Sequence, residues 1–267
     1  MAALADDLAL ETASFGALLD GLGDADWDRP TPAPGWSVAD QVSHLAYFDD
    51  MSVLAARDRV AFERRRDDAP PSADRIAERV AKQYRGTAPG ELDRWFRAAR
   101  AELDVVYRAL DPSTRVPWYG PDMSAAAAFT ARIMETWAHG LDVADAVGAP
   151  WPVTPALRQV AHISVRAVAN SFRAQGRPEP THPIRVELTG PGGDVWTWGP
   201  EDAVDRVTGP ALDLCLVATR RRHRADTGLV AVGPVATEWL TIAQAYAGPP
   251  GVGRLPVGGV DAADPRI

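Results

Sequence analysis

The sequence predicts an α+β protein: a four-helix bundle over residues 1–150, followed by a small α/β domain over residues 151–267. Three observations predict it. Four long segments before residue 150 place apolar side chains at three- and four-residue steps, the period of an amphipathic helix. The texture changes after the proline-rich "GAPWPVTP". Beyond it, short alternating runs bounded by glycine stand between helical stretches.

The first helix runs through "LADDLALETASFGALLDGL", where Leu4, Leu8, Phe15, Leu18 and Leu19 mark one face, and it ends near Gly21 to Gly23. "GDADWDRPTPAPGW" is a turn-rich connector whose prolines forbid helix. Ser37 then caps the second helix, with Asp40 completing a capping box and Trp36 preceding the cap. That helix is expected to continue through "VADQVSHLAYFDDMSVLAARDRVAFERR". A charged connection, "RRRDDAPPSADR", leads to a short helix, "IAERVAKQYRG". Leu92, Trp95, Leu103, Val106 and Leu110 define the third long helix, and "MSAAAAFTARIMETWAHGLDVADAVG" the fourth, which stops at glycine before Pro150.

In the second domain, "ALRQVAHISVRAVANSFRAQG" reads as one helix. Ile184, Val186 and Leu188 alternate with polar residues, and Gly192-Gly193 separates them from "DVWTW", which is a hairpin signal. "GPALDLCLVATRR" reads as a buried helix for which Thr208 is a candidate cap, "TGLVAVG" as a strand and "PVATEWLTIAQAYAG" as a final helix. The tail "PPGVGRLPVGGVDAADPRI" is expected to be loosely ordered.

Composition excludes several functional classes. No apolar run approaches the roughly 20 residues of a membrane span. The N-terminus is acidic where a signal peptide needs a basic start, so a cytoplasmic protein is expected. A net charge of -8 argues against general affinity for nucleic acid or an anionic membrane. The single cysteine, Cys215, sits in the apolar "ALDLCLVAT" and reads as a buried hydrophobe, which leaves no disulfide framework. "GPGG" at Gly190 to Gly193 has no helix after it and reads as a turn, not a nucleotide loop.

Chemistry concentrates in two helices. Glu135 and His139 lie four residues apart in "METWAHGLD", on one helical face, with Asp142 three residues further on. Alone, such a pair is an ordinary i,i+4 contact worth roughly 0.2–0.5 kcal/mol. His44, in "QVSHLAYF", has Val42, Leu45 and Phe48 around it and alone reads as a satisfied core histidine. Combined on facing helices, His44, Glu135 and His139 offer three nitrogen and oxygen ligands, which leave a position open on zinc or another divalent ion. Asp142 is the candidate for holding a ligand ring from behind. Arg132, three residues before Glu135, is the candidate for a substrate carboxylate, with a solvated helix position as the alternative; the run Arg220 to Arg224 reads first as a solvated helix end or loop and second as another carboxylate-binding group. Trp36, Trp95 and Trp137 read as bundle core. His162, His182 and His223 read as structural or surface residues, with His182 in a loop.

The elements Trp27, "PAPGWSVADQVSHL" (Pro32 to Leu45) and "RIMETWAHGLD" (Arg132 to Asp142), in that order, resemble the DinB-like metal-binding bundles, specifically the mycothiol-dependent maleylpyruvate isomerase group of actinobacteria. The resemblance covers about the first 150 residues; the second half is similar, on weaker grounds, to the small domain that accompanies the bundle. It implies a divalent metal, usually zinc, with nickel, iron or manganese as alternatives, held by His44, Glu135 and His139. It also implies mycothiol as a cosubstrate and a small anionic or conjugated substrate. Three functions remain open: a thiol-using isomerase or S-transferase, a metal-dependent hydrolase or lyase of a specialised biosynthetic pathway, and a non-catalytic sensor of a metal or small molecule.

Overall fold

The computed structural model describes residues 1–68, 73–251 and 253–257. Contacts divide the chain into two units, Met1–Ala156 and Leu157–Ile267. It is an α+β protein: the first unit is helical, and the second carries a small sheet with helices.

The four long helices of the first unit are α1 (Ala2–Asp20), α2 (Val38–Arg57), α5 (Pro89–Arg108) and α6 (Ala125–Val147), with the shorter α3 (Arg59–Asp67) and α4 (Ala73–Tyr84) between α2 and α5. α2 packs along α5 and also meets α6 and α4, while α1 packs on α6. Apolar side chains from all four long helices close the core, among them Leu8, Leu45, Leu103 and Ile133, each with exposure of 1% or less. α2 begins as its sequence dictates. The Ser37 N–H donates to Asp40 at 2.9 Å and the Asp40 N–H to Ser37 Oγ at 3.2 Å, so two otherwise idle donors are satisfied.

The second helix does not continue to residue 65 as expected. Asp58 leaves helical geometry, with φ -143° and ψ 87°, and its carboxylate accepts the Ala61 N–H at 2.9 Å, so it caps a new helix. An aspartate that offers the backbone a competing partner breaks the periodic run. The expected charged connection is correspondingly short: α3 reaches Asp67 and α4 starts at Ala73, with residues 69–72 outside the described set. A small antiparallel hairpin, β1 (Arg115–Val116) with β2 (Met123–Ser124), lies between α5 and α6 and was not expected.

The second unit holds α7 (Leu157–Arg166), α8 (Val168–Ala174), β3 (Ile184–Thr189), β4 (Val195–Trp198), β5 (Asp205–Pro210), α9 (Ala211–Ala218), β6 (Val230–Val232) and α10 (Pro234–Ile242). The sheet order is β4-β3-β5-β6, with β3 antiparallel to β4, parallel to β5, and β5 antiparallel to β6. The hairpin across Gly190 to Gly193 forms, with Ile184, Val186 and Leu188 turned inward. β5 corrects the reading of Thr208 as a cap: Thr208 lies in the strand, and Pro210 occupies the N-cap of α9. The last helix ends at Ile242, short of Gly248, because the next backbone donors are diverted. The Gln244 N–H goes to Ser171 Oγ at 3.0 Å and the Ala245 N–H to Ala218 O at 2.8 Å. Cys215 is buried. The expected loose tail falls largely outside the described residues.

Candidate metal centre

α2 and α6 bring His44, Glu135 and His139 together. One ligand-type atom from each lies within 4.8 Å of the others. The Glu135 carboxylate stands between the rings, its Oε2 3.0 Å from His139 Nε2 and 3.4 Å from His44 Nε2. The distances suit a shared ion, because ligands about 2.1 Å from a tetrahedral centre lie about 3.4 Å apart.

A hydrogen-bond chain orients one ring. Thr31 Oγ1 donates to the Trp36 carbonyl at 3.0 Å, so toward Gln41 it can only accept, and Gln41 Nε2 donates to it at 2.8 Å. The amide therefore presents its oxygen to His139 Nδ1, a close contact in which the ring N–H donates. A neutral His139 is left with its lone pair on Nε2, aimed at a carboxylate oxygen. Two acceptors at that distance repel unless a cation or a proton lies between them, so the donor set fits a divalent metal.

Electrostatics point the same way. Burial works to raise the Glu135 carboxyl, but the hydrogen bonds and charges of His139 and His44 hold it well below the usual carboxylate range. Burial, followed by the neighbouring His139, pushes His44 down to about 4. At neutral pH the site thus combines an ionised carboxylate with an unprotonated His44. His44 Nδ1 is buried without a partner.

The remaining expected site residues lie elsewhere. Arg132 does not reach the cluster: it is 3% exposed, its Nε bonds Asp49 at 2.9 Å, and its Nη2 bonds the Leu45 carbonyl at 3.3 Å. It ties α6 to α2 about one turn from Glu135. Asp142 is buried, and the ring-orienting role expected of it falls to Gln41, because Gln41 takes His139 Nδ1 and His139 Nε2 faces Glu135. Trp36 was expected in the core. It is instead half-buried, stacked on His139 at 5.9 Å and 14°, 5.2 Å from the His44 ring, and held by an Nε1 bond to Glu78 at 3.2 Å. Phe48 covers the other flank of His44 at 4.6 Å. Trp137 is core, and Trp95 is a partly buried side chain bonded to Asp50. The sequence carries a signal for Gln41: it precedes His44 by three residues and so shares its helix face.

Fold and site together define a class, a helix bundle that gathers two imidazoles and a carboxylate between two of its long helices. A family model described as the mycothiol maleylpyruvate isomerase N-terminal domain matches residues 8–144, and the chain belongs to that family. A shorter match, to a model described as wyosine base formation, spans residues 180–231. Relatives in two strains of Mycobacterium tuberculosis, both described as uncharacterized proteins, are 43% identical over 93% of this chain and 96% of their own length. The fold is similar to crystal structures of a mycothiol-dependent maleylpyruvate isomerase and of its histidine-to-alanine variant. The TM-score is 0.58 at 18% identity, over 85% of this chain and 91% of that one.

Proposed function

We propose that this protein is a divalent-metal-dependent enzyme of the thiol-using isomerase or S-transferase type, with His44, Glu135 and His139 as metal ligands and mycothiol as the thiol. The observation that carries the reading is the lone pair of His139 Nε2, fixed by Gln41 and turned toward an ionised Glu135 beside an unprotonated His44. Zinc suits two imidazoles and one carboxylate best, ahead of nickel, iron or manganese.

When bound, such an ion would lower the pKa of a thiol or of water and so supply a nucleophile at neutral pH. The chain's own residues do the rest. Glu135 contributes negative charge, the Gln41–Thr31 chain holds the His139 ring in one tautomer, and the Arg132–Asp49 bond keeps α6 in register with α2. Trp36 and Phe48 pack against the imidazoles, and their flat faces suit a small conjugated substrate. Asp142 is buried on the same helix as Glu135 and His139.

Metal content by plasma mass spectrometry tests the reading, on wild-type protein beside His139→Ala. Near-stoichiometric metal that disappears in the variant is expected, followed by turnover of a conjugated acid only when a thiol is present. Metal retained equally by both proteins would overturn the ligand assignment. Turnover without thiol would transfer the same site to a hydrolase or lyase, and binding without turnover to a sensor.

A further inference from the structure

The basic run Arg220 to Arg224 lies in the second unit, at the end of α9. A cavity of about 480 Å³, within the size range of small-molecule sites, is lined by Arg220, Arg222, Arg224 and Arg254, with His223 beside them. The Nε atoms of Arg220 and Arg224 are buried and have no hydrogen-bond partner among the described residues. The chain is acidic overall, at net charge -8, yet among the described residues no carboxylate pairs with Arg220, Arg222 or Arg224. Arg220 and Arg224 are partly buried and Arg222 is exposed, and the Arg220 guanidinium spends one donor on the Ile242 carbonyl at 3.3 Å; the cationic donors left around one cavity suit an anion.

The backbone gives a second, independent sign. α9 ends in a Schellman motif, with the Arg220 N–H donating to Val217 O at 3.0 Å and the Arg221 N–H to Leu216 O at 2.8 Å. The residue in the left-handed position is Arg220, at φ 63° and the only non-glycine described with positive φ. Glycine would take that position without strain. An arginine there indicates that its side chain is needed at the cavity wall. His223 Nδ1 accepts the Ala225 N–H at 3.1 Å, so a neutral His223 carries its proton on Nε2 and adds one more donor.

We propose that this cavity binds a compact oxyanion with two or more negative charges, either a phosphate group or a pair of carboxylates, with Arg220 and Arg224 as its principal donors. The planar fork of arginine matches both groups, and Arg220, Arg222 and Arg224 together favour more than a single charge. The proposal does not rest on the metal.

Isothermal titration calorimetry on the full chain at low ionic strength tests it, with inorganic phosphate, pyrophosphate and succinate as separate probes. Arg220→Gly and Arg224→Gln are the variants. Glycine suits the left-handed backbone, so the fold is retained, and circular dichroism checks that it is. Saturable one-to-one binding of at least one probe is expected, weakened by about tenfold or more in each variant. Preference for the phosphates over succinate identifies a phosphate ligand, and the reverse preference a dicarboxylate. Absence of saturable binding to all three probes, or binding that both variants keep unchanged, would overturn the proposal.

Discussion

The two units treat buried charge differently: the first seals ion pairs between helices, while the second buries Asp205 on a backbone N–H, that of Ala236 at 3.0 Å, and shows no buried ion pair among the described residues. In the bundle, ionised and polar groups are sealed between helices: Asp49, on α2, is held at 2.7 Å by Arg100 from α5 and at 2.9 Å by Arg132 from α6. Glu11, Gln41, His44 and Asp142 are buried in the same unit. In the second unit the interior is built from side chains such as Val186, Leu188, Val207, Leu214 and Trp239, and the basic groups line a cavity beyond the end of α9. The contrast teaches where rigidity comes from. A group clamped from two or three helices is positioned before any ligand arrives, so substitutions there strike stability and site together. Groups on a loop can be changed with the fold intact.

The largest expected effect breaks the bundle side of that contrast. Asp49→Ala leaves two buried guanidinium groups without their shared counter-charge, and removal of one partner from such an arrangement costs about 3–5 kcal/mol. Urea unfolding of the full chain measures it. A loss under about 1 kcal/mol would mean that water reaches these groups and that the bundle interior is not sealed.

Next in size is a pH effect from Glu11. Burial first, with Asp7 adding to it, raises its pKa to about 7 despite the hydrogen bond from Thr154, and Oε2 has no partner. The folded state therefore holds this proton between about pH 4.5 and 7, where the unfolded chain releases it. Stability contributed by Glu11 is full below about 4.5, falls as pH rises toward 7 and then levels, a loss of about 3 kcal/mol. His44 slopes the other way, because its folded pKa of about 4 removes stability as pH falls from about 6.5. The measurement is thus a difference: unfolding midpoints of wild type minus Glu11→Gln across pH 5 to 8. A flat difference would return Glu11 to ordinary solvated behaviour.

The third prediction sharpens the site. Gln41→Leu keeps the fold and releases His139 from its tautomer, with an expected 10–100-fold loss of metal affinity in competition titrations against a chelator. Asp142→Asn should weaken affinity less, since Asp142 does not hold the His139 ring. Equal effects would restore the ring-orienting role to Asp142.

Gln41 also marks the limit of what the sequence reveals. Glu135 and His139 are visible because helical spacing alone puts them on one face, and Ser37 with Asp40 because capping is local. What depends on non-local partners stays hidden. Arg132 sits at the right spacing from Glu135 to face a substrate, yet Asp49, more than 80 residues earlier, draws it inward. β5 shows little alternation in "DRVTGP" and becomes a strand through its parallel pairing with β3. Asp58 looks like one more helical acid until its carboxylate is seen to cap α3.

The smallest effect compares one backbone conformation in both units. α6 ends at Gly148, with φ 69°, and α9 ends before Arg220, with φ 63°. A side chain in this region costs about 1 kcal/mol, so Gly148→Ala should destabilise by about that amount, measured by urea unfolding. Arg220→Gly relieves the same strain but gives up the bond from Nη2 to the Ile242 carbonyl, at 3.3 Å. A long bond of that kind contributes about 0.5 kcal/mol, at the low end of its class, so a net gain under about 1 kcal/mol is expected. Opposite signs for the two variants would show that glycine is the residue stability prefers at both helix ends, and that Arg220 is kept for what its guanidinium binds. A loss above about 1 kcal/mol in Arg220→Gly would make the arginine a strut between α9 and α10. The contrast between the two units would then fail at the place where it is most specific.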